Sequence, residues 1–145
     1  MILYLGTSSL IKLYVEEKYS DVVRSWVREA EIVATCRVAY TEVISALEIR
    51  LKQNDLSKKE YDHIMKRFSK DWHNFATIDF DDKYAGLFVK KYGLKRFDAM
   101  HLSAAKLIQK GQNGFSLLFS SADKNLCKAA ANEGMNVVHL NQNID

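Results

Sequence analysis

The chain has 145 residues, 48% hydrophobic and 27% charged, with a formal net charge of +3. That mixture fits one globular domain over residues 1–145, able to bury roughly two-thirds of its unfolded surface, and it excludes a disordered chain or a membrane-spanning one. No basic lead and long apolar core precede the first element, so the protein reads as cytoplasmic; the mild positive charge permits a nucleic-acid partner without demanding one.

Residues 1–5 predict a short buried strand, which runs into Gly6-Thr7-Ser8-Ser9. Thr7 or Ser8 is a natural N-cap, and Leu10, Leu13 and Tyr14 at i, i+3, i+4 spacing predict a helix over 8–15. A helix over 21–30 leads to a strand over 32–35, and a long helix over 39–52 ends before Asn54-Asp55. Ser57 caps a helix over 57–72 whose outer face carries Lys58, Lys59, Lys66, Arg67 and Lys70. A strand over 75–78 follows, then helices over 79–92 and 98–110, each closed by a glycine, Gly93 and Gly111. A strand over 117–120, a helix over 125–133 and a strand over 136–140 complete the chain. This alternation predicts a parallel sheet covered by helices on both faces, with ligands beyond the carboxyl ends of its strands.

Several sites are excluded by spacing. The Gly6 turn does not continue as G-x-G-x-x-G, and no G-x-x-x-x-G-K-[ST] occurs. Cys36 and Cys127 stand far apart and read as reduced structural thiols. His63, His73, His101 and His139 form no H-E-x-x-H pair and read as packing or surface residues. Asp98 and His101 are one helical turn apart, a spacing that permits a shared metal but also arises often by chance.

Three acids stand out, each near the start of a helix: Glu42 in AYTEVISALE, Asp98 in KRFDAMHLSAA and Asp123 in LLFSSADKNL. Singly, each is explained as a helix cap or as a complement to the helix dipole. Asp98, however, shares a stripe with Leu102 and Ala105, and Glu42 with Ala46 and Ile49, which places both carboxylates beside apolar surface. If the three helix starts meet above the sheet, their repulsion raises their pKa values, and Mg²⁺ or Mn²⁺ would relieve it. Such a cluster suits metal-dependent phosphodiester hydrolysis.

Four segments, MILYLGTSSLIKLYVEE, TEVISAL, RFDAMHLSAA and SSADKNLCKAAANEGMNVV, resemble in order and spacing the PIN-domain family, in particular the ribonuclease toxins of VapBC-type toxin/antitoxin systems. The resemblance spans essentially the whole chain. It implies a three-layer α/β/α fold with a mainly parallel sheet, a Mg²⁺- or Mn²⁺-dependent endoribonuclease activity, homodimerisation, and inhibition by a VapB-like antitoxin. It also implies a metal site built from Glu42, Asp98 and Asp123, with Thr7 and Ser121 as supporting hydroxyls. The family's first strand ends in an aspartate, as in Y-L-D-T-S, and here Gly6 occupies that position. Glycine supplies no oxygen ligand, so the expectation is weak metal binding and severely impaired catalysis. A backbone need for Gly6, through a positive φ or a close approach, ranks below simple loss of an acid.

The basic segments 58–70 and 90–96 are expected to track RNA phosphates towards the acids, and an antitoxin to present an arginine or lysine to Glu42, Asp98 and Asp123. Two rival readings remain at this stage. One is a catalytically silent module that binds antitoxin or RNA. The other is a phosphoacceptor domain using Asp79, Asp81 or Asp82, disfavoured because no paired acids follow the first strand.

Overall fold

The structure is a computed structural model that describes residues 1–111 and 114–140, except the side chain of His139. The reading of His139 as a packing or surface residue therefore lies outside the described part. Five strands, β1 (Ile2–Leu5), β2 (Ile32–Cys36), β3 (Ala76–Ile78), β4 (Leu117–Ser121) and β5 (Asn136–His139), form one sheet in the order β3-β2-β1-β4-β5, with every pairing parallel. Between them run α1 (Thr7–Ile11), α2 (Ser20–Glu29), α3 (Ala39–Lys52), α4 (Lys58–Trp72), α5 (Asp82–Tyr92), α6 (Arg96–Gly111) and α7 (Lys124–Asn132).

The period-two alternation of strand side chains sorts the core into two layers. Ile2 and Tyr4 of β1, with Ala34, Cys36, Leu117 and Phe119, pack against α5, α6 and α7. Leu3 and Leu5 of the same strand face the opposite way, against α1, α2, α3 and α4. β1 is buried at all four positions, which is why its sequence reads as a continuous apolar run rather than an alternating one. Leu3, Leu5, Leu10, Leu47 and Leu102 are fully buried, each contributing roughly 1.5–3 kcal/mol of transfer free energy. The result is the three-layer α/β/α sandwich expected from the strand–helix alternation.

The order of connections decides where a ligand can sit. The chain builds β1, β2 and β3 outward in one direction, then returns to add β4 on the other flank of β1. The crevice between the carboxyl ends of β1 and β4 is thus the topological switch point of the sheet. Gly6 follows β1 at this crevice, and Ser121 closes β4 beside it.

Boundaries shift in three informative places. α1 ends at Ile11, after which Lys12 to Val15 continue in tight turns, and Ser20 donates its hydroxyl to the Val15 carbonyl at 3.1 Å. α5 begins at Asp82 because Asp81, not Asp79, caps it, accepting the Tyr84 N–H at 2.8 Å. α6 begins two residues before Asp98, so Asp98 lies in its first turn rather than at its cap. Ser57 caps α4 as expected, in a capping box with Glu60.

Candidate active site

Gly6 stands at the N-cap of α1 with φ −66° and ψ 162°, ordinary extended backbone open to any residue. Its N–H donates to the Ser120 carbonyl at 2.9 Å, and its own carbonyl receives Ser9 and Leu10 N–H. A Cβ built there would meet Ser120 O at 3.4 Å and the Ser121 Cβ and Oγ at 3.5 and 3.6 Å, which is van der Waals contact. No backbone demand calls for glycine.

Immediately after it, Thr7 donates its hydroxyl to Glu42 Oε1 at 2.8 Å. Glu42 lies in the first turn of α3, in the helical layer on one side of the sheet. Its Oε1 also lies 2.8 Å from His101 Nε2, which comes from α6 in the other layer. His101 is buried, and its Nδ1 is 2.7 Å from the hydroxyl of Tyr4 on β1.

Asp98 is half-buried and, among the described residues, has no hydrogen bond or ion pair. Burial first, then the nearby charge of Asp123, push its pKa above the usual aspartate value; Glu42 adds to the rise, while His101 and Lys95 oppose it. Asp123 caps α7, its Oδ1 accepting the Leu126 N–H at 2.8 Å. Ser121 Oγ accepts the Asp123 N–H at 3.0 Å, and Ser8 Oγ accepts the Ala122 N–H at 2.9 Å, which pins the turn after β4 to the start of α1. Asp98 therefore feels the charges of both Asp123 and Glu42.

The other candidates fall elsewhere. Asp79 pairs with Arg37 and accepts the Phe80 N–H, while Asp81 and Asp82 accept N–H groups at the start of α5. Of the two basic segments, 90–96 bears on one of the acids, through the charge of Lys95 on Asp98. Arg67 of α4 instead lies over the Tyr14 ring, in a cleft that includes the first residues of β2 and β3. Burial pushes the Cys36 and Cys127 thiols each up to about 11, which suits inert structural thiols. His63 and His73 are exposed.

With this geometry in view, comparison with known proteins is decisive. The family model described as PIN domain matches residues 3–132. The chain belongs to the PIN-domain family. Among curated proteins, Ribonuclease VapC45 of Mycobacterium tuberculosis (strain CDC 1551 / Oshkosh) is 25% identical over 114 residues, covering 72% of this chain and 74% of that protein. Among solved structures, PAE2754 from Pyrobaculum aerophilum superposes with a TM-score of 0.67 at 17% identity, covering 95% of this PIN domain and 90% of that chain. VapBC2 from Rickettsia felis, bound to a DNA fragment from their promoter, gives a TM-score of 0.62 at 13% identity over 96% and 98% of the two chains.

A hard divalent cation, as the PIN resemblance implies, needs unpartnered carboxylate oxygens. Asp98 offers them, and Asp123 keeps one oxygen outside its cap bond. Yet among the described residues no group of three or more His, Cys, Asp or Glu side chains is placed to hold a metal ion. The donors of this PIN domain fit such an ion in kind and fall short in number.

Sequence reasoning weighed His101 as a packing residue or as a metal partner of Asp98, and missed its bonds to Glu42 and Thr7. Because the Asp123 side chain caps α7, Asp123→Asn is expected to keep the melting temperature of the PIN domain, whereas Asp123→Ala lowers stability by about 1 kcal/mol. Thermal melts of the two variants check this; equal losses would count against the cap.

Proposed function

We propose that this PIN domain is an endoribonuclease toxin of a type II toxin/antitoxin system that hydrolyses RNA phosphodiesters with Mg²⁺ or Mn²⁺, catalytically impaired because Gly6 replaces the first-strand aspartate. The observation that carries the reading is the bonding of Glu42 to Thr7 and of the Asp123 turn to Ser8, which ties both acids to the start of α1 directly after Gly6. With an aspartate restored at position 6, Asp98, Asp123 and Glu42 would be the remaining ligands of an ion that neutralises a phosphodiester oxygen and supplies an acidified water. The chain's own groups do the rest. Thr7 and the Asp123 cap fix two of the acids, and Lys95 with its neighbours Lys90 and Arg96 draws RNA phosphates towards them. Support for RNA as substrate comes from the name of the Mycobacterium relative, and support for an antitoxin from the VapBC2 neighbour.

The antitoxin has a fitting surface. A groove of about 580 Å³ runs along α3 past Glu42, lined by Val38, Ala46, Ile49 and Phe97, with Ile49 and Phe97 exposed. An apolar segment seated there would bring an arginine or lysine to the acids. Homodimerisation belongs to the same reading, as does a cytoplasmic setting; no helix among the described residues is long and apolar enough to cross a membrane.

The second reading, a PIN-fold module that binds without cutting, is favoured by Gly6 itself. Cleavage of RNA in Mg²⁺ by the Gly6→Asp variant separates the two, and a variant that cuts no RNA ends the nuclease reading. Binding is checked on the unaltered chain. Three phosphate contacts from Lys90, Lys95 and Arg96 give a slope of log affinity on log salt of about −2 for single-stranded RNA, and salt-independent binding would remove the RNA groove. Co-purification with the product of the neighbouring reading frame tests the antitoxin.

A further inference from the structure

Behind the acids lies a closed hydrogen-bond chain. Tyr4 on β1, Thr7 on α1, Glu42 on α3 and His101 on α6 meet at 2.7 to 2.9 Å: Tyr4 hydroxyl to His101 Nδ1 at 2.7 Å, His101 Nε2 to Glu42 Oε1 at 2.8 Å and to Thr7 Oγ1 at 2.9 Å, and Thr7 Oγ1 to Glu42 Oε1 at 2.8 Å. Counting protons fixes the direction of the bonds around Glu42. An ionised carboxylate only accepts, so Thr7 spends its single proton on Glu42 Oε1. Thr7 Oγ1 and Glu42 Oε1 are then both acceptors towards His101 Nε2, and that nitrogen must carry a proton. On the far side, Tyr4 is fully buried, and burial, followed by the neighbouring Cys36 and Glu42, pushes its hydroxyl pKa well above the usual tyrosine value. Tyr4 therefore keeps its proton, and its hydroxyl is the partner of Nδ1.

We infer that His101 is a positioning residue for Glu42: lying between Tyr4 and Glu42 with its Nε2–H turned to the carboxylate, it joins Thr7 in fixing Oε1 and leaves Oε2 as the oxygen of Glu42 available to chemistry. The inference rests on the nuclease reading for its purpose. Its geometry stands without it. Among the described residues Oε2 has no hydrogen-bond partner, whereas Oε1 has two. Both nitrogens of a buried imidazole are satisfied, which removes the usual cost of burying one and holds the ring in a single orientation. The chain links β1 to both helical layers, so the angle at which Glu42 enters the crevice is set by the rigid centre of the sheet rather than by a surface loop.

Two measurements test this. In a long-range ¹H–¹⁵N spectrum of the unaltered chain at neutral pH, one histidine, identified by its disappearance in His101→Gln, should show a protonated Nε2; an unprotonated Nε2 overturns the inference. In the Gly6→Asp background, His101→Leu should lower kcat on RNA about tenfold or more with KM within about twofold, the range typical for groups that orient a ligand. His101→Gln restores an N–H at similar reach and should recover most of kcat. Equal losses in the Leu and Gln variants, both folded by circular dichroism, would reduce His101 to packing and overturn the inference. Failure of Gly6→Asp to cut RNA defeats the nuclease reading instead, and the tautomer then decides by itself whether His101 holds Glu42.

Discussion

Gly6→Asp should cleave RNA in Mg²⁺ on the order of a hundredfold faster than the unaltered chain, with chelation returning it to the starting rate. Three features of the site make this gain of function reachable by one substitution. The backbone at position 6 already has the φ and ψ of an ordinary N-cap residue, so an aspartate enters without strain. The added Cβ touches Ser120 and Ser121 at 3.4 to 3.6 Å, close enough to pack and not to push. Position 6 also sits at the switch point, with Thr7 and its partner Glu42 on one side and the Asp123 turn on the other. A carboxylate there supplies the oxygen that the present donors lack. Stability should change by less than about 0.5 kcal/mol, since the few tenths gained by replacing a glycine cap are offset by repulsion from the other acids. Gly6→Asn is the control, because it fills the same space and caps the same helix without charge. Equal cleavage by the Asp, Asn and unaltered proteins would show that the missing acid has no bearing on activity.

The architecture was legible because it rests on patterns that are local in the chain. Uninterrupted apolar runs at β1 and β4, glycines at 93 and 134 and the Ser57 capping box each mark an element within a few residues of its end. Element ends were less legible where two signals competed. Asp79, Asp81 and Asp82 all start helices well, and only the bond from Asp81 to the Tyr84 N–H settles which one does. In the site, the acids were legible as residue types at helix starts, and Gly6 shows neither the positive φ nor the close approach that would demand a glycine. The network behind them was not. His101 lies 59 residues from Glu42 and 97 from Tyr4, and no periodicity connects β1, α3 and α6. A lone histidine on an apolar helix face is read as packing until its nitrogens are seen to have partners. The direction of α4's basic face was equally hidden, since a helical pattern says which residues are exposed but not which end of the sheet they serve.

Asp98→Asn should separate function from stability at a single residue. In the Gly6→Asp background it is expected to remove RNA cleavage to within error of the unaltered chain, because it takes away the site's unpartnered, half-buried carboxylate. In chelator at neutral pH the same substitution, made in the unaltered chain, should raise Tm by about 1–3 °C. The sign follows from proton binding. Burial and the charge of Asp123 hold the Asp98 pKa above its unfolded value, so the folded state keeps its proton to higher pH than the unfolded chain does. Stability is accordingly lost as pH rises through that interval, and the full penalty is present at neutral pH; partial exposure to solvent keeps it modest. Asparagine has no such penalty. The advantage of the variant should therefore shrink as the pH is lowered and vanish below the ordinary aspartate value of about 3.9. Added Mg²⁺ should narrow the gap from the other side, by stabilising the aspartate form alone. A melting temperature that falls on substitution, or a difference that grows on acidification, would mean that Asp98 is held by a favourable partner rather than disfavoured by burial and its acidic neighbours.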